Sequence, residues 1–195
     1  MPGSGLKLEI GGGSNPHKKA EGFLNVDWGD SPLIDFKLNL EGCPWATGHG
    51  AMLPDLVLPW GDDSVSEVYA CHVLEHLHDY WPLLRELARV CEIGATVYLR
   101  APHWLFCCAM GAGHTQTISP MLVERWDIYW IWGKSGKKFK LTKVKYQPEK
   151  WLDEVRPFFG AKLGMSDEQI MRFIPDTSHE IHYWFEVVKN EPGGS

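Results

Sequence analysis

Three consecutive glycines, Gly11 to Gly13, follow the alternating segment LKLEI, whose Glu9 places a carboxylate two residues before the first glycine. Glycine has no Cβ atom, so the backbone there can adopt positive φ and a ligand can approach it closely. A strand that ends in such a turn is the usual entrance to a nucleotide site in a doubly wound α/β fold. The next candidate strand, FLNVD, ends in the carboxylate of Asp27. These residues predict a site for a nucleoside-bearing cofactor that carries positive charge.

Histidines form a second group of residues that could do chemistry. His72 follows the apolar segment VSEVYAC, and His103 follows ATVYLRAP at the end of another candidate strand. Because the carboxyl ends of parallel strands meet at one edge of a sheet, we expect both histidines to face the same crevice. His114 lies in a Gly-containing loop, where it is either a lid residue or base, or a solvated loop histidine.

The segment from His72 to His76 also fits the H-x-x-E-H pattern of inverted zinc peptidases. In that pattern two histidine ligands lie on one face of a helix, and a hydrolase of this kind would use His72, Glu75 and His76. His72, however, directly follows a buried-strand pattern, whereas the peptidase motif requires His72 and His76 in the same helix. We therefore predict no metal ligand and keep a zinc hydrolase as an alternative.

Length, charge and cysteine content limit the class of protein. A chain of 195 residues fits one α/β domain with its own core. The net charge of −6 argues against nucleic acid as a whole-surface partner. The five cysteines contain no CxxC pair, which favours a reducing, cytoplasmic compartment. Because no apolar run approaches the roughly 18 residues of a membrane span, we expect no membrane partner, and a homo-oligomer stays open.

Hydrophobic periodicity predicts the order of the secondary structure. Strand, helix and strand follow one another over residues 65–101, which predicts a parallel sheet with crossover helices. Lysines between 134 and 145 are typical of a solvated edge strand, and a site for an anionic acceptor is the alternative. The predicted strands cover residues 6–10, 23–27, 55–58, 65–71, 95–101, 139–146 and 180–188. The predicted helices cover residues 72–90, 121–132, 153–159 and 166–173.

Five segments together resemble the motifs of the class I S-adenosylmethionine-dependent methyltransferases, in the same order and with similar spacing. The likeness is greatest to a small bacterial-type subgroup with an HVLEHL run, and it covers residues 6–103. The five segments are LEIGGGSN at 8–15, NVD at 25–27, Asp55-Leu56 with Pro59-Trp60, DDSVSEVYACHVLEHL at 62–77, and RVCEIGATVYLRAPH at 89–103.

This resemblance implies a Rossmann-like fold, S-adenosylmethionine as cofactor, and roles for individual residues. Glu9 would shape the methionine pocket, Asp27 would bind the ribose hydroxyls, and Asp55-Leu56 would hold the adenine. His72, His103 and His114 would face the acceptor as catalytic candidates. The full implied set of cofactor-binding residues is Glu9, Gly11, Gly12, Gly13, Asp27, Trp28, Asp55, Leu56, Cys71 and His72.

We therefore predict one methyltransferase-like domain over residues 1–195. Its fold class is α/β, with a doubly wound, mainly parallel sheet, helices on both faces and an antiparallel last strand. Residues 6–103 would form the cofactor-binding half, 104–178 a substrate or lid region, and 179–189 the last strand. The predicted function is methyl transfer to a small-molecule or glycan-type acceptor. Besides the zinc hydrolase, the alternative is a non-catalytic cofactor-binding module that acts through a partner.

Overall fold

The computed structural model describes residues 5–40, 56–111, 113–126 and 135–190. Asp55 and the later part of the helix predicted at 121–132 lie outside these residues. Within the described ranges, no helix is both long enough and apolar enough to cross a membrane.

In the part of the chain that the structure describes, a seven-stranded sheet forms the centre, in the order β3-β2-β1-β4-β5-β7-β6. Strands β1 to β5 run parallel, and β7 lies antiparallel between β5 and β6. The doubly wound, mainly parallel class with an antiparallel last strand is thereby confirmed. The strands are β1 Leu6–Ile10, β2 Leu24–Asp27, β3 Phe36–Lys37, β4 Val65–Cys71, β5 Cys91–Pro102, β6 Lys137–Pro148 and β7 Ser178–Lys189.

The order of the strands reverses at β1. From β1 the chain moves outward to β2 and β3, and it then returns to place β4 on the other side of β1. Leu8 and Ile10 of β1 and Val68 of β4 have no exposed surface, as expected for strands covered on both faces. In open α/β sheets, ligands bind outside the carboxyl ends of the strands at such a switch point. The predicted glycine turn follows β1 at this position.

Helices connect the strands, with bounds that differ in part from the sequence pattern. The α-helices are α1 Trp81–Val90, α2 Pro120–Val123, α3 Trp151–Phe159 and α4 Asp167–Phe173. Among the described residues, short 3₁₀ turns cover Lys19–Glu21, Leu74–His76 and Cys107–Met110. The apolar face of α1, which includes Leu83, Leu84 and Leu87, is fully buried in the core.

The helix predicted to begin at residue 72 begins at Trp81 instead. His72 has a left-handed backbone, with φ of 54°, and this conformation is incompatible with a right-handed helix. The side chain of Asp79 accepts a hydrogen bond from the Trp81 amide at 3.0 Å, and Pro82 follows in the first turn. Proline favours the start of a helix because its missing N–H would have no helical partner there.

The third strand also differs from the prediction. Leu56 to Leu58 do not pair with the sheet, and β3 lies at Phe36–Lys37, where the sequence pattern predicts neither a strand nor a helix. The Leu58 amide donates at 2.8 Å to the side chain of Glu86 on α1. Leu56 and Leu58 are buried in the core, so their apolar character reflects packing and not strand pairing.

The lysine-rich strand β6 forms one edge of the sheet, as its composition predicts. Lys140, Lys143 and Lys145 are exposed, but Lys137 is only 7% exposed. The Lys137 ammonium donates at 2.7 Å to an Asp63 carboxylate oxygen and to the backbone carbonyls of Arg89 and Cys91. It therefore closes the carboxyl end of α1, where carbonyls lack helical partners.

Candidate functional site

The glycine turn after β1 forms the floor of the site. Gly11 has φ of 74°, and its amide donates to the Val26 carbonyl at 2.8 Å. A Cβ atom at Gly11 would lie 2.3 Å from Cγ2 of Val73, which follows β4. Only glycine therefore allows the β1 turn and the segment after β4 to approach this closely.

Glu9 supports this turn from below. Its carboxylate is 1% exposed and accepts hydrogen bonds from the amides of His17, at 2.6 Å, and Lys18, at 2.8 Å. These two bonds fix the loop that follows the glycines. Glu9 is not among the described residues that line the cavity. The structure therefore places it as a support for the loop, and its predicted role in the methionine pocket would be indirect.

Asp27 ends β2 and presents its carboxylate beside the turn. One oxygen accepts the Gly13 amide at 3.0 Å, and the other accepts the Gly29 amide at 2.9 Å. Each carboxylate oxygen has two lone pairs, so both oxygens can accept a further hydrogen bond. Trp28, the next residue, is 73% exposed and contributes an aromatic side chain to the same wall.

A cavity of about 920 Å³ opens at the switch point of the sheet. Its volume lies within the roughly 300–1,000 Å³ typical of small-molecule and cofactor sites. Of the predicted residues, Gly11, Asp27, Trp28 and His72 line it together. The described lining residues are Gly11, Asp27, Trp28, Lys37, Asn39, Leu40, His72, Val73, His76 and Leu77.

Other predicted cofactor residues lie behind this wall. Cys71 is buried at the end of β4, and burial raises the pKa of its thiol. Leu56 is buried in the core, and Asp55 lies outside the described residues. Gly12 and Gly13 belong to the turn that supports the wall but do not line the cavity.

His72 occupies the β4 side of the cavity and contacts two carboxylates. Its Nδ1 lies 3.0 Å from Oε1 of Glu75, and its Nε2 lies 2.7 Å from Oε1 of Glu180. The hydrogen bond to Glu75 raises the pKa of His72, and the bond to Glu180 adds to this effect while burial opposes it. The two carboxylates thus hold the imidazole ring in one orientation at the cavity wall.

This geometry does not match the zinc-peptidase pattern. His72 precedes the 3₁₀ turn Leu74–His76 and has a left-handed backbone, so His72 and His76 do not share a helical face. Both ring nitrogens of His72 face carboxylate oxygens instead of a common metal position with His76.

His114 lies across from His76, on a loop that is hydrogen-bonded to the segment after β4. The two rings are 4.7 Å apart between centroids and meet edge to face at 75°. His114 is not among the described lining residues, but it contacts His76, which is.

His103 is buried in different surroundings from the histidines at the cavity. It has no exposed surface, lies 6.0 Å from the Tyr146 ring between centroids, and accepts the Leu105 amide at Nδ1 at 3.2 Å. It does not line the cavity. Burial lowers its pKa to about 4, against opposing contributions from the Met171 backbone and Asp176.

This buried histidine should make stability depend on pH. The pKa of an unfolded histidine is about 6.5, so between pH 7 and pH 5 the unfolded chain takes up a proton that folded His103 does not. The contribution of His103 to the free energy of unfolding is therefore retained above pH 6.5, and it falls as the pH decreases toward 4. We expect this residue to lower the free energy of unfolding by about 2 kcal/mol between pH 7 and pH 5.

Denaturant unfolding of His103→Asn at both pH values measures this contribution. Asparagine can still accept the Leu105 amide but does not titrate, so the pH dependence should flatten by the same amount. His17→Asn, at an exposed histidine, should keep the dependence of the parent protein. Equal pH dependence in His103→Asn and the parent protein would contradict the prediction.

Several residues of the site carry no clear signal in the sequence. Lys37 and Asn39 line the cavity because the two-residue strand β3 brings them beside β2. Glu180 reaches His72 because β7 runs antiparallel to β5, which pairs Glu180 with Pro102 at the carboxyl end of β5. The sequence indicates this contact only by placing a charged residue, Glu180, at the start of the last predicted strand.

The strand order, the glycine turn and the cavity at the switch point agree with the Rossmann-like methyltransferase fold. Residues 44–99 match a family model described as a methyltransferase domain. No match to the chain occurs among curated proteins.

Solved structures show the same fold at low sequence identity. The chain is similar to a SAM-dependent methyltransferase from Archaeoglobus fulgidus, with 15% identity, a TM-score of 0.62, and coverage of 95% of this chain and 87% of that one. For a SAM-dependent methyltransferase from Mesorhizobium loti, identity is 14%, the TM-score is 0.52, and coverage is 95% and 93%. For a Haloferax volcanii complex between the Trm112 methyltransferase activator and a methyltransferase, identity is 12% and the TM-score is 0.57. Coverage is 99% of this chain and 86% of that one.

The family match and the fold confirm the resemblance seen in the sequence. Residues 44–99 match the methyltransferase-domain model, and the chain has the fold of solved S-adenosylmethionine-dependent methyltransferases. The residues present fit S-adenosylmethionine, because Gly11 and Asp27 line the cavity and each Asp27 oxygen can accept a further hydrogen bond.

Proposed function

We propose that the protein transfers the methyl group of S-adenosylmethionine to a small-molecule or glycan-type acceptor inside the 920 Å³ cavity. The observation that carries this proposal is the lining of the cavity. Gly11, Asp27 and Trp28 lie on the β1–β2 side, whereas His72 and His76 lie on the β4 side. One cavity thus offers groups suited to a nucleoside and groups suited to a polar acceptor.

The β1–β2 side would bind the cofactor. The turn at Gly11 allows close approach of the methionine part, and Asp27 would accept hydrogen bonds from the two ribose hydroxyls. Trp28 would pack its exposed ring against the adenine. Glu9, Gly12 and Gly13 would act through the loop that they shape, and Asp55, Leu56 and Cys71 keep their predicted places near the cofactor.

The β4 side would bind the acceptor. Methyl transfer is an in-line displacement at carbon, so catalysis depends mainly on alignment of the acceptor atom with the methyl group. His72, fixed by Glu75 and Glu180, would orient the acceptor by a hydrogen bond. His114 would contribute through His76, which its ring contacts. His103 would support the fold from the core, because it is buried away from the cavity.

The non-catalytic module remains the alternative that experiment must separate from this proposal. The Haloferax volcanii neighbour forms a complex with a methyltransferase activator, which makes dependence on a partner testable. The cytoplasmic location and a homo-oligomeric state stay predictions, the former based on the cysteines, of which Cys71, Cys91, Cys107 and Cys108 are free thiols.

Titration calorimetry followed by an activity screen tests the proposal. We expect S-adenosylmethionine and S-adenosylhomocysteine to bind with one equivalent each, and NAD to produce no heat. Incubation with methyl-labelled cofactor and a panel of sugars, alcohols and amines should then label at least one acceptor. Cofactor binding without labelling of any acceptor would favour the non-catalytic module, and absence of binding would contradict the proposed site.

A further inference from the structure

Glu75, His76 and His114 form a compact group beside the cavity, here called the His–Glu cluster. One potential ligand atom from each side chain lies within 4.8 Å of those from the other two. Glu75 is buried, His76 is exposed toward the cavity, and His114 is partly buried. The cluster thus extends from the protein interior to the acceptor side of the site.

The carboxylate of Glu75 has an unused oxygen. The residue is only 1% exposed, and its Oε1 is held by Nδ1 of His72 at 3.0 Å. Its Oε2 has no hydrogen-bond partner among the described residues. Buried polar atoms in native proteins are nearly always paired, so an unpaired carboxylate oxygen calls for an explanation such as a missing ion. This oxygen belongs to the residue that the two histidines face.

Hydrogen bonds to carbonyls fix the tautomers of both histidines. Nδ1 of His76 lies 3.0 Å from the Gly113 carbonyl, and Nδ1 of His114 lies 3.3 Å from the Ala109 carbonyl. A carbonyl oxygen can only accept, so Nδ1 must carry the proton in each ring. Each neutral imidazole then has its lone pair on Nε2. Metal-bound histidines in proteins are held in the same way, with the other ring nitrogen donating to a carbonyl or carboxylate.

The backbone keeps the two parts of the cluster together. The Thr115 amide donates to the Glu75 carbonyl at 2.7 Å. The Gln116 side-chain amide donates to the carbonyls of Leu77, at 2.6 Å, and His78, at 2.8 Å. These bonds tie the loop that carries His114 to the segment that carries Glu75 and His76. The cluster is therefore assembled by the fold before any ion arrives.

We propose that the His–Glu cluster binds a divalent cation of the zinc class. One carboxylate and two imidazoles form the donor set of catalytic zinc sites, which leave a fourth position open. Ligand atoms about 2.1 Å from a tetrahedral zinc lie roughly 3.4 Å apart, so separations of up to 4.8 Å require the side chains to close by about 1.4 Å or less. His72 then acts as the residue that orients the carboxylate ligand.

The open position gives this site a function in the reaction. Because His76 lines the cavity, the cation would face the acceptor side and bind an oxygen or nitrogen atom of the acceptor directly. This part of the inference rests on the proposed function. It narrows the acceptor to molecules with a hydroxyl, carboxylate or amine that can ligate zinc.

A second zinc site must be excluded in the test. Cys107 and Cys108 are exposed, and their sulfur atoms lie 3.8 Å apart, so the pair offers two thiols to added zinc. Any zinc titration therefore needs the Cys107→Ser/Cys108→Ser double variant beside the parent protein.

Calorimetric titration of Zn²⁺ into untagged, chelator-treated protein tests the site. We expect one equivalent to bind to both the parent protein and the cysteine double variant. His114→Gln and Glu75→Gln should each weaken zinc binding at least tenfold, whereas His78→Gln, at an exposed histidine two residues from His76, should leave it unchanged. Titration of each variant with S-adenosylhomocysteine reports whether the fold and the cofactor site are intact.

The following outcomes would overturn the proposal. Zinc affinity could be equal in the parent protein, His114→Gln and Glu75→Gln, or zinc binding could be lost only in the cysteine double variant. If S-adenosylhomocysteine binds while zinc does not, the metal site is refuted and the proposed methyl transfer stands. If neither ligand binds, the proposed function fails first and the role assigned to the cation falls with it.

Discussion

Replacing Asp27 with alanine should weaken the binding of S-adenosylhomocysteine by about 100-fold. Asp27 lines the cavity at the end of β2, and each carboxylate oxygen has a lone pair beyond its bond to a backbone amide. Two ribose hydroxyls would donate to these oxygens, and hydrogen bonds to charged groups contribute about 1.5–3 kcal/mol each. A loss of about 3 kcal/mol corresponds to roughly 100-fold in the dissociation constant. Titration calorimetry measures the change.

Two further variants separate the ribose contacts from a general effect on the fold. Asp27→Asn keeps the size of the side chain and one carbonyl acceptor but removes the charge, so its affinity should lie between those of the parent protein and Asp27→Ala. Asp153→Ala removes an exposed carboxylate on α3 and should leave the affinity for S-adenosylhomocysteine unchanged. If Asp27→Ala binds S-adenosylhomocysteine as tightly as the parent protein, the ribose assignment to the end of β2 is wrong.

The sequence predicts this half of the site well because its signals are local. The LKLEIGGG segment forms β1 and the turn as expected, and Asp27 ends β2 as expected. Burial on both faces of the sheet requires apolar residues in the strands, and a tight turn requires glycine, so both features appear directly in the residue types. The mainly parallel sheet with an antiparallel last strand then follows from the resemblance to the family.

Long-range pairing is the part that local patterns do not contain. Leu56 to Leu58 resemble a strand because the core requires apolar residues there, yet β3 forms at Phe36–Lys37 by pairing with β2. Glu180 contacts His72 across 108 positions of sequence through the register of β7 on β5. Neither contact leaves a periodic signal in the residues that make it.

The H-x-x-E-H segment shows what a local pattern predicts and which contacts it does not contain. The pattern correctly draws attention to Glu75 and His76, which the fold places together with His114. It assigns His72 to the same set, but the left-handed backbone of His72 turns that ring toward Glu180. The third member of the cluster, His114, lies 38 residues beyond His76. The hydrogen bonds of its loop to the segment after β4 place it there, and the sequence pattern does not contain them.

Gly11→Ala should lower the free energy of unfolding by about 2–5 kcal/mol. A non-glycine residue at φ of 74° costs about 1–2 kcal/mol. The new Cβ atom would lie 2.3 Å from Cγ2 of Val73, and such overpacking of a buried site costs about 1–3 kcal/mol. Because Val73 directly follows His72, any shift that relieves the overlap also moves the acceptor side of the cavity. Denaturant unfolding measures the loss of stability, and calorimetry with S-adenosylhomocysteine measures the effect on the site.

Gly13→Ala is the matched control, because it has the same backbone strain without the overlap. Gly13 has φ of 53°, and the nearest atom to its new Cβ would be an Asp27 carboxylate oxygen at 3.8 Å, an ordinary contact. Its cost should therefore be only the backbone part, about 1–2 kcal/mol. In a Val73→Ala background the clashing methyl group is absent, so Gly11→Ala should cost no more than Gly13→Ala. If Gly11→Ala costs as much stability in the Val73→Ala background as in the parent protein, the contact between the β1 turn and the segment after β4 does not require glycine.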